Sequence, residues 1–249
     1  MPFQSLGLAP QILAAIQDAG YTEPTPIQAA AIPAVLTGSD VIGIAQTGTG
    51  KTAAFTLPIL TQLTEKPLAP GQRSHTRVLV LAPTRELVAQ IEENVLAYAK
   101  HLPLKIAKVY GGVGEKPQKD ALRAGSDIVI ACPGRLLDLM GQRCANFSKL
   151  EYLVLDEADR MLDMGFLPDI RRVVQQLPRK RQTLLFSATL SKEIESLTHE
   201  FQHAPKIVQI GKRSNPAETV TQHIYELPKH LKLSLLSHLL KDDALQMVL

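Results

Sequence analysis

The chain has 249 residues, 45% hydrophobic and 20% charged, a balance that excludes disordered and fibrous classes and gives enough length to bury a full core. Its formal charge of +3 is too small to argue for a polyanionic partner by itself, because a basic face depends on clustering rather than on a total. Two cysteines, Cys132 and Cys144, make neither a disulfide framework nor a metal quartet; no apolar run spans a bilayer and the first residues lack the order of a secretory signal, so a cytoplasmic protein is expected.

In chain order, short apolar runs occur at residues 41–45, 78–82, 128–131, 152–155 and 183–186. Runs of this length, bounded by turn residues, read as strands buried on both faces. Amphipathic stretches at 85–100 and 167–177 have the spacing of crossover helices. The alternation predicts an α/β fold: an open, mostly parallel sheet with helices on both faces, and ligands at the carboxyl ends of the strands, where loops and helix starts converge. Residues 66–72 (Lys-Pro-Leu-Ala-Pro-Gly-Gln) break both periodicities and read as a surface loop. The polar stretch 211–218 is a candidate linker. Beyond it a new unit is expected, with a strand at 220–227, a helix at 229–240 and a strand at 245–249. Residues 1–210 are thus expected to form one domain and 219–249 the start of a truncated second one.

The segment Ala45-Gln46-Thr47-Gly48-Thr49-Gly50-Lys51-Thr52 follows the first strand and opens a helical stretch, the context required of a phosphate-binding loop. Glycine there lets backbone N–H groups face phosphates, and the helix start adds the positive end of its dipole. Lys51 would meet the β- and γ-phosphates and the Thr52 hydroxyl would ligate Mg²⁺. Ala45 stands where the general pattern asks for glycine, and a Gly/Thr-rich turn that binds nothing is the alternative. Asp156-Glu157-Ala158-Asp159 follows the run 152–155, so its first carboxylate leaves the sheet at the same edge. It can hold the water shell of Mg²⁺ while Glu157 orients or deprotonates an attacking water. An acidic helix cap is the alternative for this cluster alone. The seven histidines show no metal-ligand spacing and read as structural.

The segments 20–28 (Gly-Tyr-Thr-Glu-Pro-Thr-Pro-Ile-Gln), 45–52, 83–87 (Pro-Thr-Arg-Glu-Leu), Gly111-Gly112, Pro133-Gly134-Arg135, 156–159 and Ser187-Ala188-Thr189 together resemble, in order and spacing, the motif set of DEAD-box RNA helicases. The continuation 160–166 looks most like the bacterial RhlE-like subgroup. The resemblance covers the whole chain and implies a RecA-like P-loop NTPase domain that uses ATP and Mg²⁺ and binds RNA.

That resemblance assigns roles residue by residue. Residues 1–28 become an adenine-recognition segment in which Gln28 reads adenine, an amide being able to donate and accept across the N6 and N7 edge. Tyr21, Thr22 and Pro26 accompany it, and Phe3 corresponds to an isolated aromatic near the base, a core anchor being the alternative. Gln46, Thr47, Gly48, Thr49, Gly50, Lys51 and Thr52 hold the phosphates; Lys51, Asp156 and Glu157 are catalytic, and Thr52 and Asp156 serve the metal. Pro83, Thr84, Arg85, Gly111, Gly112, Pro133, Gly134 and Arg135 grip the RNA backbone without reading bases, although each alone is ordinary turn chemistry. Family members usually carry Thr at the place of Cys132, and a thiol is a poor donor, so one RNA contact is in question. Ser187 and Thr189 would couple nucleotide to RNA through hydroxyls near the Asp156 cluster, a helix cap being the alternative. The family's second domain supplies arginines worth about 10³ to 10⁵ in rate, so this chain alone should show little activity. The competing readings are a non-catalytic RNA-binding scaffold and a DNA-directed ATPase on the same fold.

Overall fold

A computed structural model describes residues 2–68, 75–211 and 223–241. The chain divides into two compact units, Met1–Gly211 and Lys212–Leu249. In the first unit a 3₁₀ turn (Phe3–Leu6) precedes α1 (Pro10–Asp18), α2 (Pro26–Leu36), β1 (Val41–Ile44), α3 (Lys51–Glu65), β2 (Val78–Leu81), α4 (Arg85–Tyr98), β3 (Ile106–Val109), α5 (Glu115–Ala124), β4 (Ile128–Ala131), α6 (Pro133–Gly141), β5 (Tyr152–Leu155), α7 (Ala158–Asp163), α8 (Leu167–Val174), β6 (Gln182–Ser187), α9 (Lys192–Phe201) and β7 (Lys206–Gln209). The strands form one sheet in the order β3-β4-β2-β5-β6-β1-β7, and every pairing is parallel.

Side chains alternate across a strand, so the four-residue apolar runs feed two separate cores. Val41, Val78, Val80, Ile128, Ile130, Val154 and Phe186 point to the face covered by α1 to α4, where Ile27, Phe55, Leu57 and Ile91 are fully buried. Ile42, Leu79, Leu81, Val129, Leu153, Leu155 and Leu185 point to the other face and meet Leu136, Met161, Ile170 and Leu197. Each fully buried aliphatic side chain contributes roughly 1.5–3 kcal/mol. Two core layers on opposite faces enclose the sheet between helices, and the carboxyl ends of the strands lie along one edge.

The five apolar runs read from the sequence are β1, β2, β4, β5 and β6, within one residue at each end. The two outermost strands were not among them. β3 is only half buried and β7 is largely exposed, because an edge strand has one neighbour and less cover, so its sequence keeps polar positions such as Lys108, Lys206 and Gln209. Residues 66–68 follow α3 without regular structure; the rest of the expected loop and of the 211–218 linker, as well as the expected strand at 245–249, lie outside the described residues. In the second unit, residues 223–228 are neither helix nor strand, unlike the strand expected at 220–227; a 3₁₀ turn (Lys229–Leu231) and α10 (Lys232–Leu239) occupy the expected helix.

β1 pairs with both β6 and β7 and meets β6 in one close approach. Gly43 lies against the ring of Phe186 on β6: a Cβ there would fall 2.4 Å from the ring carbons. The ring is fully buried and packs on Phe55 at a centroid distance of 5.3 Å, so it has no room to yield. Gly43→Ala is expected to cost roughly 1–3 kcal/mol through overpacking and to lower the thermal midpoint by about 2–10 °C. Adding Phe186→Leu should return part of the loss, whereas a midpoint unchanged by Gly43→Ala would show that the sheet absorbs the methyl group elsewhere.

Candidate functional site

The parallel order determines which loops meet. The segments after β1, β5 and β6 carry residues 45–52, 156–159 and 187–189, and the segments after β2, β4 and β3 carry 83–85, 132–135 and 111–112. All leave at the same edge, and the two groups abut where β5 pairs with β2. There the Asp156 N–H donates to Leu81 O at 2.9 Å.

The loop after β1 turns into α3 through Gly50, at φ +90° and ψ 25°, a left-handed conformation in which a side chain would be strained. A Cβ at Gly50 would also fall 2.4 Å from Gln28 Nε2. Gln28 is 1% exposed; its Nε2 donates to Gly50 O at 3.1 Å and its Oε1 accepts from the Thr25 N–H at 3.0 Å. One amide thus ties the N-terminus of α2 to the glycine loop, keeping one N–H and one lone pair in reserve. Thr49 Oγ1 donates to Gln46 O at 2.7 Å and closes the turn. Lys51 begins α3 and is buried, its Nζ donating to Ala45 O at 2.8 Å.

Asp156 leaves β5 with 2% exposure. Burial, opposed by the positive charge of Lys51 and reinforced by Glu157, pushes its carboxyl up to about 6. Its Oδ1 accepts from the Glu157 N–H at 3.0 Å. Glu157 adopts φ 50°, ψ 51°, a left-handed backbone rare outside glycine and characteristic of functional positions; its Oε2 lies 3.2 Å from Arg160 Nη1.

A cleft of about 310 Å³ opens among these groups. Gln28, Thr47, Gly48, Gly50, Lys51 and Thr52 line it, with Asp156, Glu157 and Tyr21. Ala53, Thr25, Leu87, Gln90, Asn94 and Tyr98 complete the lining, none of them among the site residues expected from the sequence. The last four are one stripe of α4, at spacings of three and four residues, and polar amides interrupting that helix face were the available signal. Tyr21 and Tyr98 meet with hydroxyl oxygens 3.1 Å apart and rings 6.0 Å apart. Thr25 and Gln28 form a capping box at the start of α2: the Thr25 side chain accepts from the Gln28 N–H, and the Gln28 side chain accepts from the Thr25 N–H.

Phe3 is a correction: it is 3% exposed, packed in the core beside Leu6 and Leu8, and does not line the cleft. Thr22 and Pro26 are exposed outside the lining, Pro26 as the first residue of α2. Gln46 and Thr49 shape the loop through their mutual bond instead of facing the cleft. Ser187 is buried and its Oγ accepts from the Thr189 N–H at 3.3 Å. The carboxylate that meets this segment is Asp159, not Asp156: its Oδ2 accepts from the backbone N–H groups of Ala188 and Thr189, both at 3.1 Å, and from Thr189 Oγ1 at 3.3 Å. Backbone groups dominate this link, which residue types alone did not reveal.

On the other half of the edge, Thr84 caps α4 by accepting the Leu87 N–H at 3.3 Å. Arg85 is exposed, and Arg135 Nη1 donates to Val113 O at 3.2 Å. A Cβ at Gly112 would lie 3.5 Å from Arg85 Nη1, and one at Gly134 would lie 3.7 Å from Asp169 Oδ2; nothing crowds Gly111. Pro83 and Pro133 are buried, Pro133 as the first residue of α6 and Pro83 just before the Thr84 cap of α4. Cys132 caps α6 without a side-chain bond, and burial pushes its thiol up to about 11.

A family model described as DEAD/DEAH box helicase matches residues 25–197. The chain is 45% identical over 242 residues to DEAD-box ATP-dependent RNA helicase 20 of Oryza sativa subsp. japonica, covering 96% of this chain and 49% of that protein. It is 43% identical to ATP-dependent RNA helicase RhlB of Pseudomonas syringae pv. tomato, covering 99% and 63%, and 41% identical to DEAD-box ATP-dependent RNA helicase CshA of Streptococcus pneumoniae, covering 96% and 45%. It therefore spans about half to three fifths of the length of these curated relatives. With the family model covering more than half of its length and the motif segments gathered on one edge of a parallel sheet, the chain belongs to the DEAD/DEAH box helicase family.

Proposed function

We propose that this chain is the ATP-binding, RecA-like domain of an ATP-dependent RNA helicase. The observation that carries the reading is the cleft in which a buried lysine, a buried aspartate, a left-handed glutamate and an anchored amide converge at the carboxyl edge. The relatives' names describe RNA helicases that depend on ATP, which favours this reading over a non-catalytic scaffold or a DNA-directed ATPase. A cytoplasmic setting fits two free thiols, and no helix among the described residues is long and apolar enough to cross a membrane. The continuation 160–166 supports an RhlE-like subgroup.

The cleft fits a nucleotide with Mg²⁺. Gln28 keeps hydrogen-bonding capacity for adenine, Lys51 lines the cleft with its ammonium held on a backbone carbonyl, and open space lies where a Cβ would stand at Gly48, a lining glycine at φ +82°. Among the described residues no cluster of three metal-ligating side chains occurs; Thr52 and Asp156 suit a cation that takes its remaining ligands from phosphates and water. Bound there, Mg²⁺ would neutralise charge developing on the transferring phosphoryl group. Lys51 would exchange Ala45 O for phosphate oxygens, and Glu157 would orient and deprotonate the attacking water. Arg85, the Gly111-Gly112 backbone, Gly134 and Arg135 would hold an RNA sugar-phosphate backbone with no preference for sequence. Asp159, bonded to residues 188 and 189, would relay nucleotide state toward that surface. Strand separation is proposed for the whole protein, in which a second domain closes over both ligands and supplies the arginines that speed hydrolysis.

Titration with a fluorescent ADP analogue and Mg²⁺ tests the cleft. Binding should be competed by ATP over GTP. Lys51→Ala should weaken it about 10- to 100-fold, the scale of charge-assisted bonds, and Gln28→Ala should erase the preference for adenine. If the parent chain binds no nucleotide, the assignment of the cleft is wrong. Competition between RNA and DNA oligomers for the same chain decides which backbone it prefers.

The buried carboxylate predicts a second effect. A carboxyl held at about 6 instead of near 3.8 binds its proton more tightly in the folded state than in the unfolded chain, so stability falls as pH rises from about 4 through 6. The resulting penalty, roughly 3 kcal/mol at most, is fully present above pH 7. Asp156→Asn should therefore raise the thermal midpoint at pH 7.5 by several degrees and lose that advantage below pH 5, while nucleotide affinity ceases to respond to Mg²⁺. A variant that melts with or below the parent across this range would show that the carboxylate is not held at a cost.

A further inference from the structure

At the head of α4 a carboxylate is bonded to an arginine of the surface proposed to hold phosphates. Glu86 Oε1 accepts from Arg85 Nε at 2.6 Å, with both side chains well exposed. Arg85 Nη1 lies toward the glycine pair, 3.5 Å from where a Cβ of Gly112 would be. The guanidinium is thus held between an acid and the loop after β3. Neighbouring residues on a helix do not face each other by default, yet these two side chains meet at the first turn of α4. Glu86 sits in a positive field: its bond to Arg85 and the charges of Arg85 and Arg160 hold its carboxyl below the usual range. Its own negative charge reaches the Cys132 thiol at the head of α6. Glu86 repels any phosphate brought to Arg85 by the same Coulomb interaction that attracts the guanidinium.

We propose that Glu86 occupies Arg85 as an internal stand-in for a phosphate, so that an RNA strand docks by displacing the carboxylate from the guanidinium. This rests on the reading of this edge as the RNA-backbone surface. A phosphate offers the guanidinium two parallel charge-assisted bonds where the structure shows one to Glu86. An exposed ion pair is weak and screened by salt, so the exchange is easily reversed. Glu86 is a positioning residue: it keeps the grip weak enough to release and pre-orients Arg85 toward the glycine pair between binding events.

The test is fluorescence anisotropy of a labelled single-stranded RNA of about ten nucleotides, measured between roughly 50 and 200 mM salt, with an unchanged thermal midpoint as the check on folding. Glu86→Gln should bind about three to ten times more tightly at low salt, and log affinity should fall with log salt more steeply by roughly 0.7, the increment for one neutralised phosphate on a single strand, because Arg85 no longer gives up an ion pair in exchange. Arg85→Gln should weaken binding, and adding Glu86→Gln to it should gain less than about twofold. Equal gains in both backgrounds would overturn the proposal in favour of general charge repulsion, and no gain in the parent background would overturn it outright. Failure of the parent and of every variant to bind the oligomer would remove the RNA reading itself.

Discussion

One geometric constraint governs this molecule: every strand of the sheet runs the same way. Parallel strands need a crossover after each strand, and a right-handed crossover returns the chain to the opposite edge before the next strand begins. All turns from strand to following helix consequently emerge on one side. Six segments that lie far apart in sequence are brought together there without any of them having to bind another. Strand order then sorts them. β1, β6 and β5 carry the phosphate loop, residues 187–189 and the acidic cluster, while β2, β4 and β3 carry the basic and glycine-rich segments. The boundary runs between β5 and β2, and α4 straddles it, its first residues on one side and Leu87, Gln90, Asn94 and Tyr98 along the cleft on the other.

The cleft is where local preference and global fold disagree. A lysine and an aspartate are buried, and a glutamate takes a left-handed backbone. Each costs free energy that the apolar layers on both faces of the sheet must offset. Such conflicts gather where a fold is shaped for something other than itself. Polar groups away from the cleft differ: the buried Arg77 guanidinium bonds both oxygens of Glu151 at the amino edge, whereas Thr56, Gln62, Arg181 and Gln202 each bury one polar atom with no partner among the described residues.

Much of this was legible in the sequence because buried parallel strands carry an unmistakable signal. Val41 to Ile44 and Tyr152 to Leu155 are apolar at every position, as two-sided burial requires. The edge strands escaped notice for the converse reason, Lys108 and Lys206 being compatible with a strand that has one neighbour. The motif residues could be named, but their partners could not. Nothing in the residue types says that Asp159 accepts from residues 188 and 189, or that Gln28 bonds Gly50 as well as its own helix start. Phe3 was open to two readings, and burial beside Leu6 and Leu8 decides for the core.

The paired phenols at the mouth of the cleft carry an optical consequence. The chain contains five tyrosines and no tryptophan, so its near-ultraviolet emission comes from tyrosine alone and is not drained by transfer to an indole. Two of those five, Tyr21 and Tyr98, touch at the cleft rim through their hydroxyls, and burial holds the Tyr98 hydroxyl well above its usual titration range. The protein thus carries an unmodified reporter on the wall of its own site, read by excitation near the phenol band, with a dye needed only where the ligand itself absorbs there.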